Sequence, residues 1–430
     1  MPSILDRYIT EQELQDFSRF YNIARPEFDG DVLFPDQKTQ SLQATYTTLS
    51  SGYEIPTMAQ VHAFDTEARI GDRPTAKRIT LEKLYIKEKI NISESLAYIQ
   101  GTGVQADDPI INFIFDDISN MMDRVRTRTE VAKMEVMATG GMTVNENGLS
   151  MSIDFGVPNT QKVNTNWIDA DADIIGEIRG YVDTAAANGV TLTDAYCSQK
   201  VISYLIKNKG IQNAINGTVL SGIMLTLPKV NELFGELFGI TIHRASNGLY
   251  KYTAANGDKT SKRFYPDNKI TFYSSTSGAV GVGLWGPTPG ELAGDASDGF
   301  ITTRKWETND PIATWTEAAG LMVPVLPNPY NLFIVTVDST EEVTAVTITG
   351  TVKAGQELTA VVTPDLADAT YQWYVADTST GTYTKITNAV KSTYTIPTSK
   401  VGKFLKVEAT GAGKFSGTVT SAATTVVVAA

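Results

Sequence analysis

The sequence predicts an α+β body followed by a separate all-β segment. Three observations carry this reading. A helical pattern of about 30 residues begins near Asp108, short runs of alternating character fill the chain after Glu341, and the composition changes abruptly at Asp338-Ser339-Thr340. At 430 residues the chain is long for a single core, which agrees with two or more domains.

The composition narrows the function. Hydrophobic residues make up 42% and charged residues 20%, ordinary values for a globular protein. No stretch approaches the roughly 20 apolar residues needed to span a bilayer. The opening run MPSILDRYITEQELQ lacks a basic leader with an apolar core, so the expectation is synthesis and residence in a cytosol. The single cysteine, Cys197, rules out an internal disulfide and reads as a buried structural thiol. His62 and His243 are the only histidines and stand far apart in sequence, which leaves little for histidine-based metal or triad chemistry. Residues 341–430 hold seven Lys and seven Asp plus Glu, so the whole net charge of −12 belongs to the first 340 residues. An acidic body does not draw nucleic acid by counterion release.

Within the body, Thr10-Glu11-Gln12-Glu13 reads as a capping box before a short helix with Leu14, Phe17 and Tyr21 on one face. Residues 22–60 are rich in turn formers and read as an extended arm that orders against neighbouring copies. Asp107-Asp108-Pro109 opens the long helix as N-cap and first-turn proline. Apolar residues recur at Ile111, Ile114, Phe115, Ile118, Met121, Met122, Val125, Ala132 and Val136, and Gly140-Gly141 stops the pattern. Such a helix measures roughly 45 Å at ~1.5 Å per residue, a length that suits a flat, elongated subunit. A hairpin follows around Asn145-Glu146-Asn147-Gly148, with strands at 141–144 and 149–155. Helices are expected at about 170–188, 198–208 and 228–238, and a strand pair around Asn256-Gly257. Gly278–Gly299 reads as loop-rich, and Leu321–Val337 as an apolar, Pro-rich stretch ending in a strand.

Beyond residue 340, strands are expected at 343–349, 357–363, 370–375, 393–396, 404–409 and 418–428. Short strands at this spacing suggest a β-sandwich, with Trp373 placed to fill its core. The runs Tyr371-Gln372-Trp373-Tyr374 and Val401-Gly402-Lys403-Phe404-Leu405-Lys406-Val407 resemble immunoglobulin-like modules of bacterial surface proteins and phage virions.

Three motifs hint at chemistry, and each has a plainer reading. Gly101-Thr102-Gly103-Val104-Gln105-Ala106 fits a dinucleotide pattern, but Ile92–Gln100 before it reads at least as well as helix as strand and Arg126 and Arg128 stand where an acidic partner is required, so it reads as a joint before the long helix. Asp169-Ala170-Asp171-Ala172-Asp173 resembles the start of a calcium loop, yet Ile174 and Gly180 stand where glycine and glutamate are required. Capping of the next helix explains these carboxylates better. Asp116-Asp117 reads as the solvated face of the long helix. No catalytic, cofactor-binding or metal-ligating residue is assigned, and no cofactor is expected.

The order of several landmarks resembles the lambda-type major capsid proteins of tailed bacteriophages, the major capsid protein E family with the Hong Kong 97 fold. They are Leu33-Phe34-Pro35, Trp167 followed by Asp169 and Asp171, Tyr265-Pro266-Asp267-Asn268-Lys269-Ile270, Glu307-Thr308-Asn309-Asp310-Pro311, and Leu326-Pro327-Asn328-Pro329. The resemblance covers about residues 30–337 and implies a capsid body at 1–340. Within it lie an arm at about 1–50, an extended loop at about 50–100, a peripheral domain with the long helix at about 108–139, and an axial domain at about 190–300. Residues 341–430 form the appended immunoglobulin-like sandwich, which the basic fold does not need.

The resemblance implies a structural protein rather than an enzyme. Copies would form hexamers and pentamers of an icosahedral shell around double-stranded DNA, contacted without sequence preference. Portal, scaffold and head-completion proteins would be partners, with no membrane involved, and assembly would take place in the host cytoplasm before residence in the virion. A cellular nanocompartment shell and a bacterial surface adhesin are the rival readings.

Overall fold

The computed structural model describes residues 28–49, 58–59, 61–62, 64, 76–93, 108–216, 225–246, 248–253, 257–275, 279–297, 299–309, 312–338, 341–364, 369–412 and 415–430. The expected helix after Thr10 and the Gly101–Ala106 motif lie outside them. The chain divides into two compact units: residues 1–163, 176–202 and 227–335 form the first, and 164–175, 203–226 and 336–430 the second.

The first unit is organised by the helix Asp108–Thr139 and the strand Ile312–Val325. The strand is long enough to serve three partners. Leu84–Ser93 pairs along one edge, while Ile301–Asn309 and Val282–Gly286 follow one another along the other. Asp36–Lys38 adds to Val282–Gly286 in parallel. A five-stranded sheet runs in the order Lys162–Asn164, Leu332–Thr336, Lys269–Tyr273, Asp194–Cys197, Thr241–Arg244. Ile270 through Tyr273 are all buried, as expected of a strand covered on both faces. Tyr181, from the helix Ile174–Ala187, stacks on Phe333 with ring centres 4.8 Å apart.

Most of the expected elements are present within one to four residues. Where the sequence suggested 170–188, 198–208 and 228–238, helices span Ile174–Ala187, Gln199–Lys207 and Leu227–Phe238. The hairpin Gly141–Glu146/Leu149–Asp154 turns through Asn147 and Gly148 at φ +50° and +80°, conformations Asn and Gly accept.

Three expectations for residues 1–340 need correction, and one helix was not foreseen. Part of the proposed arm, residues 28–49, folds on the chain's own first unit, with the helix Asp29–Leu33 and the strands Asp36–Lys38 and Gln43–Leu49. Their brevity hides them from periodicity. Gly278–Gly299 is no plain loop, since it holds the strand Val282–Gly286 and the helix Pro289–Ala293. Glycine there marks close approach: a Cβ on Gly283 would lie 2.4 Å from Asp36 Oδ1. A further helix, Lys209–Asn216, begins at Asn208, which caps it by accepting from the Ile211 N–H. Asp117 is half-buried rather than solvated, and the Asp116 side chain lies outside the described residues.

In the second unit, residues 341–430 form two antiparallel sheets. One joins Ala345–Thr349, Glu357–Thr363 and Thr393–Thr395; the other joins Thr384–Lys385, Ala369–Ala376, Phe404–Gly411 and Thr418–Thr420. Val346, Leu358 and Val362 from the first meet Trp373, Leu405 and Val407 from the second in one core. Trp373 is fully buried and its Nε1–H donates to the Lys391 carbonyl at 2.9 Å. The last strand stops at Thr420 instead of reaching 428. Beyond it Thr424 and Val427 donate to Leu405 and Lys403 without a continuous ladder.

Candidate functional site: a buried clamp on the long helix

The long helix carries a charged centre inside an apolar surround. Met121, Met122, Val125, Met134, Val136 and Met137 are buried, but so are Thr129, Glu130 and Lys133. A charge inside a protein is stable only when paired and hydrogen-bonded. Here the partners come from residues 29–36, a hundred positions away in sequence. The Lys133 ammonium, fully buried, lies 2.7 Å from Asp31 Oδ1 and 2.8 Å from Asp36 Oδ1. The Glu130 carboxyl group accepts from the Gly30 N–H at 3.1 Å through both oxygens. Gly30 must lack a side chain, because a Cβ would sit 2.2 Å from Glu130 Oε2. One residue earlier, Asp29 accepts from Tyr196 Oη–H and from the Ser246 N–H.

Burial pushes the Glu130 carboxyl up to about 8. The Gly30 N–H and Lys133 pull it down, Asp31 and Asp29 push it further up, and desolvation dominates. Glu130 is therefore largely protonated at neutral pH. Tyr196 is raised by its burial and by its bond to Asp29, so its hydroxyl stays a donor.

A second buried amine extends the clamp. Lys83 donates to Thr39 Oγ1 and to the Ser41 and Trp285 carbonyls, and burial lowers its affinity for the proton. Lys38 pairs with Glu291. Residues 29–41 are thus fixed by Asp29, Asp31, Asp36 and Lys38 on one side and by Tyr196, Lys133, Lys83 and Glu291 on the other. The chemistry of this site is retention of a segment. Sequence reading missed it, because Glu130 and Lys133 stand among Arg126, Arg128 and Glu135 and read as solvated helix charges.

The other noted residues fall in separate places. His243 Nε2 lies 2.8 Å from Asp194 Oδ1, while Thr193 and Ser275 donate to Asp194 Oδ2. Burial pulls the Asp194 carboxyl upward, but the bonds from His243, Thr193 and Ser275 outweigh it and hold the group below its usual value. Serine, histidine and aspartate meet here in the wrong order for nucleophilic chemistry. The carboxylate is the hub and the serine bonds to it, whereas activation requires a serine bonded to the imidazole. Asp169 Oδ1 accepts from the Asp171 N–H, and Asp171 pairs with Lys209 at 2.8 Å. These bonds close a turn before the helix at Ile174. Cys197 is buried, and desolvation pushes its thiol up to about 12. His62 is exposed. Among the described residues no group of three or more His, Cys, Asp or Glu is placed to hold a metal ion. No helix among them is long and apolar enough to cross a membrane.

No curated protein matches the chain. Among solved structures it is similar to one assigned as the capsid protein of an E. coli CFT073 prophage, with 14% identity, TM-score 0.49, and coverage of 76% of this chain and 99% of that one. A phage-related protein from Bordetella bronchiseptica RB50 shows 10% identity, TM-score 0.46, and coverage of 75% and 95%. The mature capsid of bacteriophage PhiM1 shows 11% identity, TM-score 0.43, and coverage of 74% and 89%. The model of the family described as phage major capsid protein E matches residues 22–337, which includes the clamped segment, the long helix and both sheets of the first unit. By that match over most of its length, the chain belongs to the phage major capsid protein E family.

Proposed function

We propose that the chain is the lambda-type shell subunit of a tailed phage, with the Hong Kong 97 fold, assembling into hexamers and pentamers around double-stranded DNA. The family match over residues 22–337 is the observation that carries this reading. The frame of long helix and long strand supports it, because a subunit that tiles a thin wall gains from extended rigid elements. Scaffold, portal and head-completion proteins are the expected partners. The capsid body takes residues 1–340, with the axial domain at about 190–300. Pairing of Gln43–Leu49 with Ala76–Glu82 supports an extended loop whose base lies at these strands.

Residues 341–430 are proposed as an immunoglobulin-like sandwich that projects from the shell as decoration or as a weak adhesion module. Two sheets around Trp373 and a balanced local charge support a self-contained module. Binding of residues 341–430 to a glycan array supports adhesion; no signal on any ligand leaves decoration.

Electron microscopy of the overexpressed protein, with and without its neighbouring genes, tests the shell. Closed particles are expected, enclosing nuclease-protected DNA when packaging genes are present. Dispersed monomers in every condition contradict the reading, and particles filled with an enzyme favour a nanocompartment.

A further inference from the structure

Among the described residues the strands Leu249–Thr253 and Lys259–Arg263 pair only with each other and join neither the five-stranded nor the six-stranded sheet of the first unit. Every strand residue except Tyr250 and Arg263 is exposed, including Leu249 at 61% and Tyr252 at 44%. The ribbon is anchored at its root, where Tyr250 packs on Phe264 and Phe264 on Phe28, with ring centres 5.2 and 5.6 Å apart. Beyond the root both faces meet water. Isolated two-stranded ribbons are marginal in that state, and a third surface normally covers one face.

Charge identifies the cover. From Arg244 to Asp267 the chain holds five cations (Arg244, Lys251, Lys259, Lys262 and Arg263) against Asp258 and Asp267, and Asp267 pairs with Arg263 at 2.9 Å. This stretch is therefore at +3 in a chain of net −12, and the remaining residues stand at −15. The register puts Leu249, Lys251, Ser261 and Lys259 on one face and Tyr252, Thr260 and Lys262 on the other. Each face thus sets an apolar side chain beside at least one ammonium.

We propose that this ribbon is a docking element that binds a carboxylate-bearing surface on a second copy of the chain. The inference deepens the shell reading and rests on it. A second copy supplies both things the ribbon needs: an acidic surface, and apolar contact for Leu249 and Tyr252. A phosphate backbone supplies only the first. The contact joins a basic element of one copy to a different, acidic region of the next, a head-to-tail geometry that gives rings when the rotation between copies closes.

Zero-length carboxyl–amine cross-linking of an equal mixture of isotope-labelled and unlabelled full-length chain tests this. Peptides with Lys251, Lys259 or Lys262 joined to Asp or Glu peptides of the opposite label are expected. The triple variant Lys251→Glu, Lys259→Glu, Lys262→Glu should lower the yield of associated protein at least about tenfold at physiological salt, because like charges face one another. The corresponding Gln variant should give a smaller loss, with unchanged circular dichroism. Ribbon lysines that link only within single copies, or a Glu variant that associates like the parent, overturn the proposal. A Glu variant that loses binding to double-stranded DNA and associates like the parent also overturns it, in favour of a nucleic-acid contact. Inter-copy links in material that never forms closed particles contradict the shell reading while sustaining the ribbon contact.

Discussion

The first unit and the two-sheet segment 341–430 bury different things. Around its long helix the first unit encloses Lys133, Glu130 and Lys83 with partners drawn from residues 29–41. The C-terminal sheets enclose Trp373, Leu358, Ile396, Leu405 and Val407, with no Lys, Arg, Asp or Glu among their described buried residues. One core depends on ions that meet across a hundred residues of chain; the other depends on apolar packing between strands close in sequence. The ionic design specifies where one segment must lie, since a misplaced segment leaves a buried charge unpaired. The apolar design specifies only that its strands collapse together.

The largest effect should follow from emptying the apolar core. Trp373→Ala is expected to cost about 4 kcal/mol through lost burial and a residual cavity. Hydrogen exchange should show lost protection in 341–430 while the Ile312–Val325 strand stays protected. Coincident loss in both regions would break the comparison. In the ionic core, Lys133→Met leaves Asp31 and Asp36 facing an uncharged helix and should cost about 3 kcal/mol in denaturant unfolding. Proteolysis should then cut first within residues 28–41. Asn208→Ala removes a helix cap and two bonds to the Ala170 and Ala172 carbonyls, for about 2 kcal/mol in the same assay.

The subtlest effect is a slope. Glu130 sits near 8 when folded, above its ordinary value of 4.5, so the folded state keeps a proton that the unfolded state has lost. The contribution is fully present below about 4.5 and declines as pH rises toward 8, on the order of 1 kcal/mol per pH unit. Glu130→Gln, which keeps an acceptor for the Gly30 N–H, should flatten the stability profile of the first unit over that window. An unchanged profile would show that Glu130 is ionised in the folded protein.

Much of this was legible in the sequence, and the rest was hidden for physical reasons. The long helix could be read because its apolar period repeats for many turns before Gly140-Gly141 ends it. The C-terminal strands could be read because each faces a single core and alternates accordingly. Trp373 stood out as the one indole in that segment. The clamp was invisible because its halves are local opposites: Asp29-Gly30-Asp31 looks like a turn, and Glu130 and Lys133 look like solvated helix charges. Only their meeting gives either half a meaning. Val282–Gly286 was hidden by glycines that admit close neighbours, Asp36 at Gly283 and Lys83 with the Ser41 carbonyl at Gly286. His243 and Asp194 are 49 residues apart, so no spacing rule could pair them. The strand pair expected around Asn256-Gly257 is the ribbon Leu249–Thr253/Lys259–Arg263, but its exposure emerges only once the sheets are drawn.

The central claim is that the chain builds a closed shell through its first unit. Electron cryomicroscopy of purified particles tests it most directly. The account predicts an icosahedral lattice of hexamers and pentamers in which the Asp108–Thr139 helix and the Ile312–Val325 strand lie in the wall, with Lys133 buried against Asp31 and Asp36 of the same copy. Open filaments or a minor component carrying this chain on a shell built from another protein would contradict it.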